Sequence, residues 1–242
     1  MSTRAIIWDY DGTLVDSRHR NLSVNRSIVQ RLTGRPWSEF SALTSVGDYD
    51  GAVARCVGWR DFYGREFDLD ESAVDAAGRL WTEYQLTDET PVPLFEGVAE
   101  ALEELGDLPH GIVSQNASDI IAATLAPTGL AERFGKVIGY REVPPGRQKP
   151  APDGLLACLE TLTRFAPGRA WYVGDHPSDA RCVAETRRVL SSRGLAIDLR
   201  CIAVVDGGEF VGEWQIAPDA TARTPADIVR IVRGEPGCGP PA

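Results

Sequence analysis

The sequence predicts an α/β protein: a parallel sheet covered by helices, with a helical segment inserted after the first strand. Three observations carry that reading. Short apolar runs bounded by turn residues alternate with amphipathic stretches, the order expected of a parallel sheet with right-handed crossovers. The runs are apolar throughout, as strands covered on both faces are. Residues 16–92 instead carry helical periodicity without convincing strand alternation.

Taken in order, the first run, Ala5 to Trp8, stops at Asp9. Arg18 to Leu32 places Leu22, Ile28, Val29 and Leu32 in a helical pattern that Gly34-Arg35-Pro36 breaks. Ser38 to Leu43 reads as the start of a further helix, Gly47 to Gly51 as a loop, and Ala52 to Val57 as a short helix. Ser72 to Leu86 is the clearest helix of this segment, with Ser72 as its cap and Val74, Ala77, Leu80, Trp81 and Tyr84 on one stripe. Pro91-Val92-Pro93 closes the insertion. Beyond it, strands are expected over 110–114, 136–140, 170–174 and 200–205, with a last edge strand at Trp214 to Ala217. Helices are expected over 95–105, 119–125, 152–165, 177–192 and 225–232. The stretch from Arg187 to Arg200 is longer than the next helix-to-strand connection requires. Residues 234–242 read as a disordered tail. The expected domains are therefore an α/β core, 1–15 with 93–233, and a helical domain, 16–92.

Composition narrows the function. A net charge of −10 argues against a nucleic-acid partner, because such binding neutralises phosphates with Lys and Arg. No apolar stretch is long enough to span a bilayer, and Met1-Ser2-Thr3-Arg4 leads straight into the first strand without a signal-peptide pattern. The five cysteines are scattered, with no Cys-x-x-Cys pair, which suits free thiols and a cytoplasmic location. His19, His110 and His176 show no ligand spacing. Of 25 basic residues only Lys136 and Lys149 are lysine, so a lysine at a chemically demanding position stands out.

Strand ends are where ligands bind in parallel sheets, and four strand-end or loop stretches carry suitable chemistry. In Asp9-Tyr10-Asp11-Gly12-Thr13-Leu14-Val15, an extended chain points both aspartates to one side. Two such carboxylates repel unless a cation joins them, and oxygen ligands at this spacing suit Mg²⁺. Ser114-Gln115-Asn116 ends the second strand with a hydroxyl and backbone N–H groups that can hold a phosphate oxygen. Lys149 lies in a loop fixed by prolines, Lys149-Pro150-Ala151-Pro152-Asp153, where an ammonium can neutralise phosphate and nucleophile together. Gly174-Asp175-His176-Pro177-Ser178-Asp179 puts one aspartate at a strand end and a second one helical turn further on.

In that order and on those elements, the four stretches resemble motifs I to IV of the haloacid dehalogenase superfamily of phosphohydrolases. The inserted helical segment resembles the cap of its phosphoglycolate phosphatase-like branch. The resemblance implies a Rossmann-like three-layer sandwich and a Mg²⁺-dependent phosphatase acting on a small phosphorylated metabolite. By it, Asp9 is the nucleophile that becomes an aspartyl-phosphate, and Asp11 is the general acid and then base. Ser114, Gln115, Asn116 and Lys149 are the phosphate-binding group, although Gln115 stands where Asn is frequent in the family. Asp9, the carbonyl of Asp11 and Asp175 hold the metal, with Asp179 behind them. The stretch from Gly47 to Asp61 is expected to face the crevice, with Asp48, Arg55 and Arg60 as substrate contacts. The dehalogenase branch lacks a carboxylate at the position of Asp11, and the phosphonate-cleaving branch uses a cap lysine, which residues 16–92 do not contain. A phosphosugar mutase keeps the same motifs and is one alternative. A binding or regulatory protein on a retired phosphatase core is the other.

Overall fold

A computed structural model describes residues 2–56, 58–205 and 214–235. It divides into two compact units, Met1–Val15 with Leu94–Ala242, and Asp16–Pro93.

The first unit is built on six parallel strands among the described residues. These are β1 (Thr3–Trp8), β2 (His110–Val113), β3 (Phe134–Ile138), β4 (Gly168–Gly174), β5 (Ile197–Val204) and β6 (Ala220–Ala222), in the spatial order β3-β2-β1-β4-β5-β6. The order reverses between β1 and β4, so the chain leaves a crevice beyond the carboxyl ends of these two strands. β1, β2 and β4 are buried almost along their length, which is why their sequences are continuously apolar.

The second unit holds α1 (Arg18–Thr33), α2 (Val46–Ala54), α3 (Trp59–Phe67) and α4 (Glu71–Thr87). α1 buries Leu22, Val24, Ile28 and Val29 and ends at Gly34, whose left-handed backbone (φ 68°) an L-residue adopts at a cost. Phe40, Phe62, Tyr63 and Phe67 form an aromatic cluster, with Phe62 and Phe67 edge-to-face at 5.1 Å. Three expectations need correction here. Gly47 to Gly51 is not a loop but lies inside α2, because the Ser45 hydroxyl caps the helix by accepting from the Asp48 N–H at 3.1 Å. Ser38 to Leu43 forms two short 3₁₀ turns, Trp37–Glu39 and Ser41–Leu43. The cap of α4 is Asp70, not Ser72, its carboxylate accepting from the Ala73 N–H at 2.8 Å. α3 has no counterpart in the sequence reading: its helicity comes from the aromatic cluster it buries, not from strong helix formers.

Among the described residues, five α-helices complete the first unit: α5 (Val98–Glu104), α6 (Ser118–Leu125), α7 (Asp153–Thr163), α8 (Pro177–Ser192) and α9 (Pro225–Arg233). α7 and α8 cover one face of the sheet, packing Leu155, Cys158, Leu159, Cys182 and Val183 on Ala5, Ile7, Val113 and Ala170. Gly111 lies on this face, where a Cβ would overlap the Cys158 sulfur. His110, its neighbour in the pleat, turns to the opposite face. There it accepts the Trp8 indole N–H at Nδ1 (3.0 Å) and sets Nε2 3.0 Å from the Leu105 carbonyl at the end of α5. The result is a three-layer α/β sandwich.

The long stretch from Arg187 to Arg200 is the end of α8, which stops at Ser192 as expected, a short connection, and an early start to β5 at Ile197. Arg187 ties α8 to β5 by donating to the Leu199 carbonyl at 2.7 Å. β3 begins and ends two residues earlier than expected: Tyr140, read as its last residue, opens a 3₁₀ segment, Tyr140–Glu142. The edge strand is also displaced. Trp214 and Ile216 pack half-buried against the core rather than pairing, and β6 follows at Ala220–Ala222. From residue 236 on, the expected disordered tail lies outside the described residues.

Candidate active site

Asp9 follows β1 directly, and its N–H donates to the Val173 carbonyl at 2.7 Å, so β1 stays paired with β4 up to the catalytic end. The chain then turns sharply: the N–H groups of Leu14 and Val15 return to the Tyr10 carbonyl at 2.9 and 3.2 Å. Gly12 makes this possible twice over. Its φ is +75°, and a Cβ would collide with the Asp175 carboxylate. Thr13, one residue on, donates its hydroxyl to Asp175 Oδ1 at 3.0 Å. The carboxyl ends of β1 and β4 are thereby joined.

Asp175 follows β4, and α8 begins two residues later at Pro177, where a missing N–H leaves nothing unsatisfied. Asp179, in the first turn of α8, is fully buried. It accepts the His176 N–H at Oδ2 (3.1 Å), and a Cβ on Gly174 would overlap its carboxylate. Among the described residues, Asp9, Asp175 and Asp179 bring carboxylate oxygens within 4.8 Å of one another.

Lys149 enters this group from the loop before α7. Its Nζ lies 2.9 Å from Asp9 Oδ1, 2.6 Å from Asp179 Oδ1 and 2.9 Å from the Tyr172 hydroxyl. Lys149 donates hydrogen bonds to Asp179 and Tyr172, and its contact with Asp9 is an ion pair. Burial works against its charge, but Asp179 and Asp9 outweigh that and hold the ammonium well above the usual lysine range. Burial also raises the Asp9 carboxyl to about 7, against the pull of Lys149 and with Asp179 adding to the rise. Asp175 is pushed well up by burial and then by Asp9 and Asp179. Three carboxylates and one ammonium leave two negative charges uncompensated among these groups, the charge of one divalent cation. The donor set therefore fits Mg²⁺.

The second strand supplies the remaining side chains. Ser114 Oγ accepts the Asn116 N–H at 3.0 Å, Gln115 donates to the Lys149 carbonyl at 2.7 Å, and Asn116 donates to Asp11 Oδ2 at 3.1 Å. The three residues proposed from the helical segment are engaged within their own unit. Asp48 accepts from the Ser45 hydroxyl at 2.6 Å, Arg55 pairs with Glu66 at 3.4 Å, and Arg60 pairs with Asp75 at 2.5 Å.

A family profile described as haloacid dehalogenase-like hydrolase matches residues 3–184. The chain belongs to that family. It is a hydrolase of the phosphatase class. Its curated relatives include a "Pyrophosphatase PpaX" from Listeria monocytogenes, 25% identical over 234 residues that cover 95% of this chain and 96% of the relative. A phosphoglycolate phosphatase from Rhodobacter capsulatus is 29% identical over 182 residues, 73% of this chain and 78% of the relative. Among solved structures, a subfamily IA hydrolase of the same superfamily from Geobacter sulfurreducens superposes with a TM-score of 0.63 at 20% identity, covering 95% of this chain and 96% of that one. CbbY from Rhodobacter sphaeroides, solved with xylulose-1,5-bisphosphate, gives 0.67 at 18% identity over 93% and 95%. These last two likenesses establish the fold.

Within this haloacid dehalogenase-like site, Tyr172 went unread in the sequence. Its hydroxyl receives Lys149, donates to the Val113 carbonyl at 2.9 Å and lies 3.1 Å from Asp179. A tyrosine inside the apolar run Ala170-Trp171-Tyr172-Val173 reads as core. The available signal was a phenol that, once buried, needs a partner.

Proposed function

We propose that the enzyme is a Mg²⁺-dependent phosphatase that hydrolyses a small phosphomonoester, phosphoglycolate-like or a phosphosugar, through an aspartyl-phosphate on Asp9. One observation carries the reading: a fully engaged, buried lysine joins Asp9 and Asp179 beside Asp175, at the sheet's switch point. The names of the phosphoglycolate phosphatase relatives support the phosphomonoester class, and the pyrophosphatase relative adds pyrophosphate to the substrates to be tried.

Both Asp179 oxygens are already used, by Lys149 and by the His176 N–H. Asp9, Asp175 and the backbone carbonyl of Asp11 are therefore the groups assigned to the metal, with Asp179 bracing them. Bound there, Mg²⁺ supplies charge neutralisation at the attacking carboxylate and the phosphoryl oxygens.

The protein's own groups do the rest. An Asp9 oxygen attacks phosphorus, the bond to the leaving oxygen breaks, and Asp11 gives that oxygen a proton. Asp11 then takes a proton from water as the water attacks the phosphorus. Phosphate leaves and the Asp9 carboxylate is restored. Ser114 already accepts the Asn116 N–H, so its own O–H is the one to donate to a phosphoryl oxygen. Lys149 offsets the charge of the nucleophile. The helical unit is assigned the role of a specificity-setting cap, with Asp48, Arg55 and Arg60 as its polar candidates. A cytoplasmic location is part of the proposal: Cys56, Cys158, Cys182 and Cys201 are free thiols, and no helix of the described residues is long and apolar enough to cross a membrane.

The test is phosphate release from 2-phosphoglycolate, sugar phosphates and p-nitrophenyl phosphate. EDTA is expected to abolish it and Mg²⁺ to restore it. Mg²⁺ is also expected to raise Tm by several degrees at pH 8, since about 1 kcal/mol of relieved repulsion is worth roughly 2–4 °C at this size. Full turnover in metal-free buffer overturns the metal assignment. Isomerised sugar phosphate without phosphate release favours a mutase.

A further inference from the structure

We propose that Asn116 is a positioning residue for Asp11: it holds the carboxyl group that serves the leaving oxygen and is not itself a phosphate ligand. The proposal rests on the phosphatase reading above and deepens it.

Asn116 is 4% exposed, and each of its backbone and side-chain polar atoms has a partner. Its N–H donates to Ser114 Oγ at 3.0 Å, and its carbonyl accepts the Tyr140 N–H at 3.1 Å. Its side-chain Oδ1 accepts the Ala117 N–H at 2.8 Å, and Nδ2 donates to Asp11 Oδ2 at 3.1 Å. The contact with Ala117 decides the orientation of the amide. A backbone N–H can only donate, so the amide oxygen must face it and the NH₂ must face Asp11. Ala117 is in turn fixed as the residue that opens α6, accepting the Ile121 N–H at its carbonyl (3.1 Å). Gly139 packs so closely beneath that a Cβ there would overlap the Asn116 carbonyl oxygen. The backbone on both sides thus pins this side chain.

An orientation so determined has a chemical consequence. The N–H of Asn116 occupies Asp11 Oδ2 and fixes the plane of the carboxyl group relative to the end of β1. A general acid works only from within hydrogen-bond reach of the oxygen it protonates. Loss of the amide removes this hold on the carboxyl plane, so the damage falls on esters whose leaving oxygen needs the proton most. A phosphate ligand behaves differently, because every phosphomonoester presents the same phosphoryl oxygens.

The experiment measures single-turnover phosphorylation of the Mg²⁺-loaded enzyme by p-nitrophenyl, phenyl and benzyl phosphate, whose leaving groups rise in basicity. Asn116→Ala is expected to lose about 10-fold with benzyl phosphate, the upper worth of one hydrogen bond to the neutral, protonated acid. With p-nitrophenyl phosphate the loss is expected to stay below about threefold, because that leaving group needs little protonation. Asn116→Asp, isosteric and still an acceptor for the Ala117 N–H, replaces the donor toward Asp11 with a carboxylate that repels it, and must show a tilt at least as large. In an Asp11→Asn background, Asn116→Ala is expected to add no further loss with benzyl phosphate. An equal loss across the three esters, or an additive loss in the Asp11→Asn background, overturns the proposal and leaves the phosphatase reading standing. Failure of the unmodified enzyme to be phosphorylated by any of the esters overturns both.

Discussion

The α/β unit buries its decisive charges, and the helical unit keeps its charges in water. In the first, the Lys149, Asp9 and Asp179 side chains are 3%, 11% and 0% exposed. In the second, the Arg60–Asp75 pair is 54% and 52% exposed, and Arg35–Glu39 is 55% and 49%. Exposed pairs of this kind contribute about 0.2–1 kcal/mol each, whereas a buried charge that loses its partner destabilises by about 3–5 kcal/mol. Folding tolerates the buried group only because its members satisfy one another, and the same mutual dependence makes it chemically usable. The helical unit is instead held by aromatic and aliphatic packing, so its charges are free to vary with little effect on stability.

The largest break in this contrast comes from Lys149→Met. It leaves Asp9 and Asp179 buried without a counter-charge, so a stability loss of about 3–5 kcal/mol is expected in the metal-free protein by denaturant unfolding. Phosphatase kcat should fall by about 10²–10³-fold as the electrostatic support is removed. Unchanged stability would mean that the buried charges find compensation elsewhere.

A smaller effect separates buried charge from buried neutrality inside the same unit. His110 is held below the usual histidine range, by burial first, and its Nδ1 is occupied by the Trp8 N–H. The unfolded chain takes up its proton near pH 6.5 and the folded protein resists it. This contribution is therefore fully present above pH 6.5 and is lost as pH falls from there toward the lowered folded pKa, by at most about 1.4 kcal/mol per pH unit. His110→Gln, which can still accept from Trp8, is expected to flatten that acid limb in a urea-denaturation series from pH 5 to 8.

The smallest change is expected in the helical unit. Arg60→Gln should move stability by less than about 0.5 kcal/mol, because its pair is exposed on both sides, and Arg55→Gln by at most about 1 kcal/mol, because Glu66 is largely covered while Arg55 is exposed. Their use lies in KM for 2-phosphoglycolate and sugar phosphates. A tenfold or larger rise in KM without loss of stability would assign substrate recognition to this unit. No change would leave its polar residues as surface.

The same contrast explains what was legible in the sequence. Continuous apolar runs ending in Asp9, Ser114 and Asp175 were readable as strands, because burial on both faces writes itself into every position of a strand. Lys149 stood out because the chain otherwise writes nearly all its positive charge as arginine. The polar links were not readable: Tyr172 looks like core, and the Asn116 contact with Asp11 joins residues 105 positions apart. In the helical unit, α2 carries Gly47 and Gly51, and α3 is rich in aromatics. Local propensity argues against a helix in both, and Ser45 capping and tertiary packing override it.

The proposed chemistry has Asp9 covalently phosphorylated while Asp11 serves the leaving group. It is tested most directly by acid-quenching the Mg²⁺-loaded enzyme during single turnover with a ³²P-labelled sugar phosphate and counting protein-bound label. Wild type is expected to trap label that hydroxylamine releases, as an acyl phosphate should. Asp9→Asn should trap none. Asp11→Asn should accumulate label about 10²–10⁴-fold more slowly, the usual worth of a general acid. Label retained by Asp9→Asn, or phosphate release from wild type with no trapped label at any time, would contradict the account.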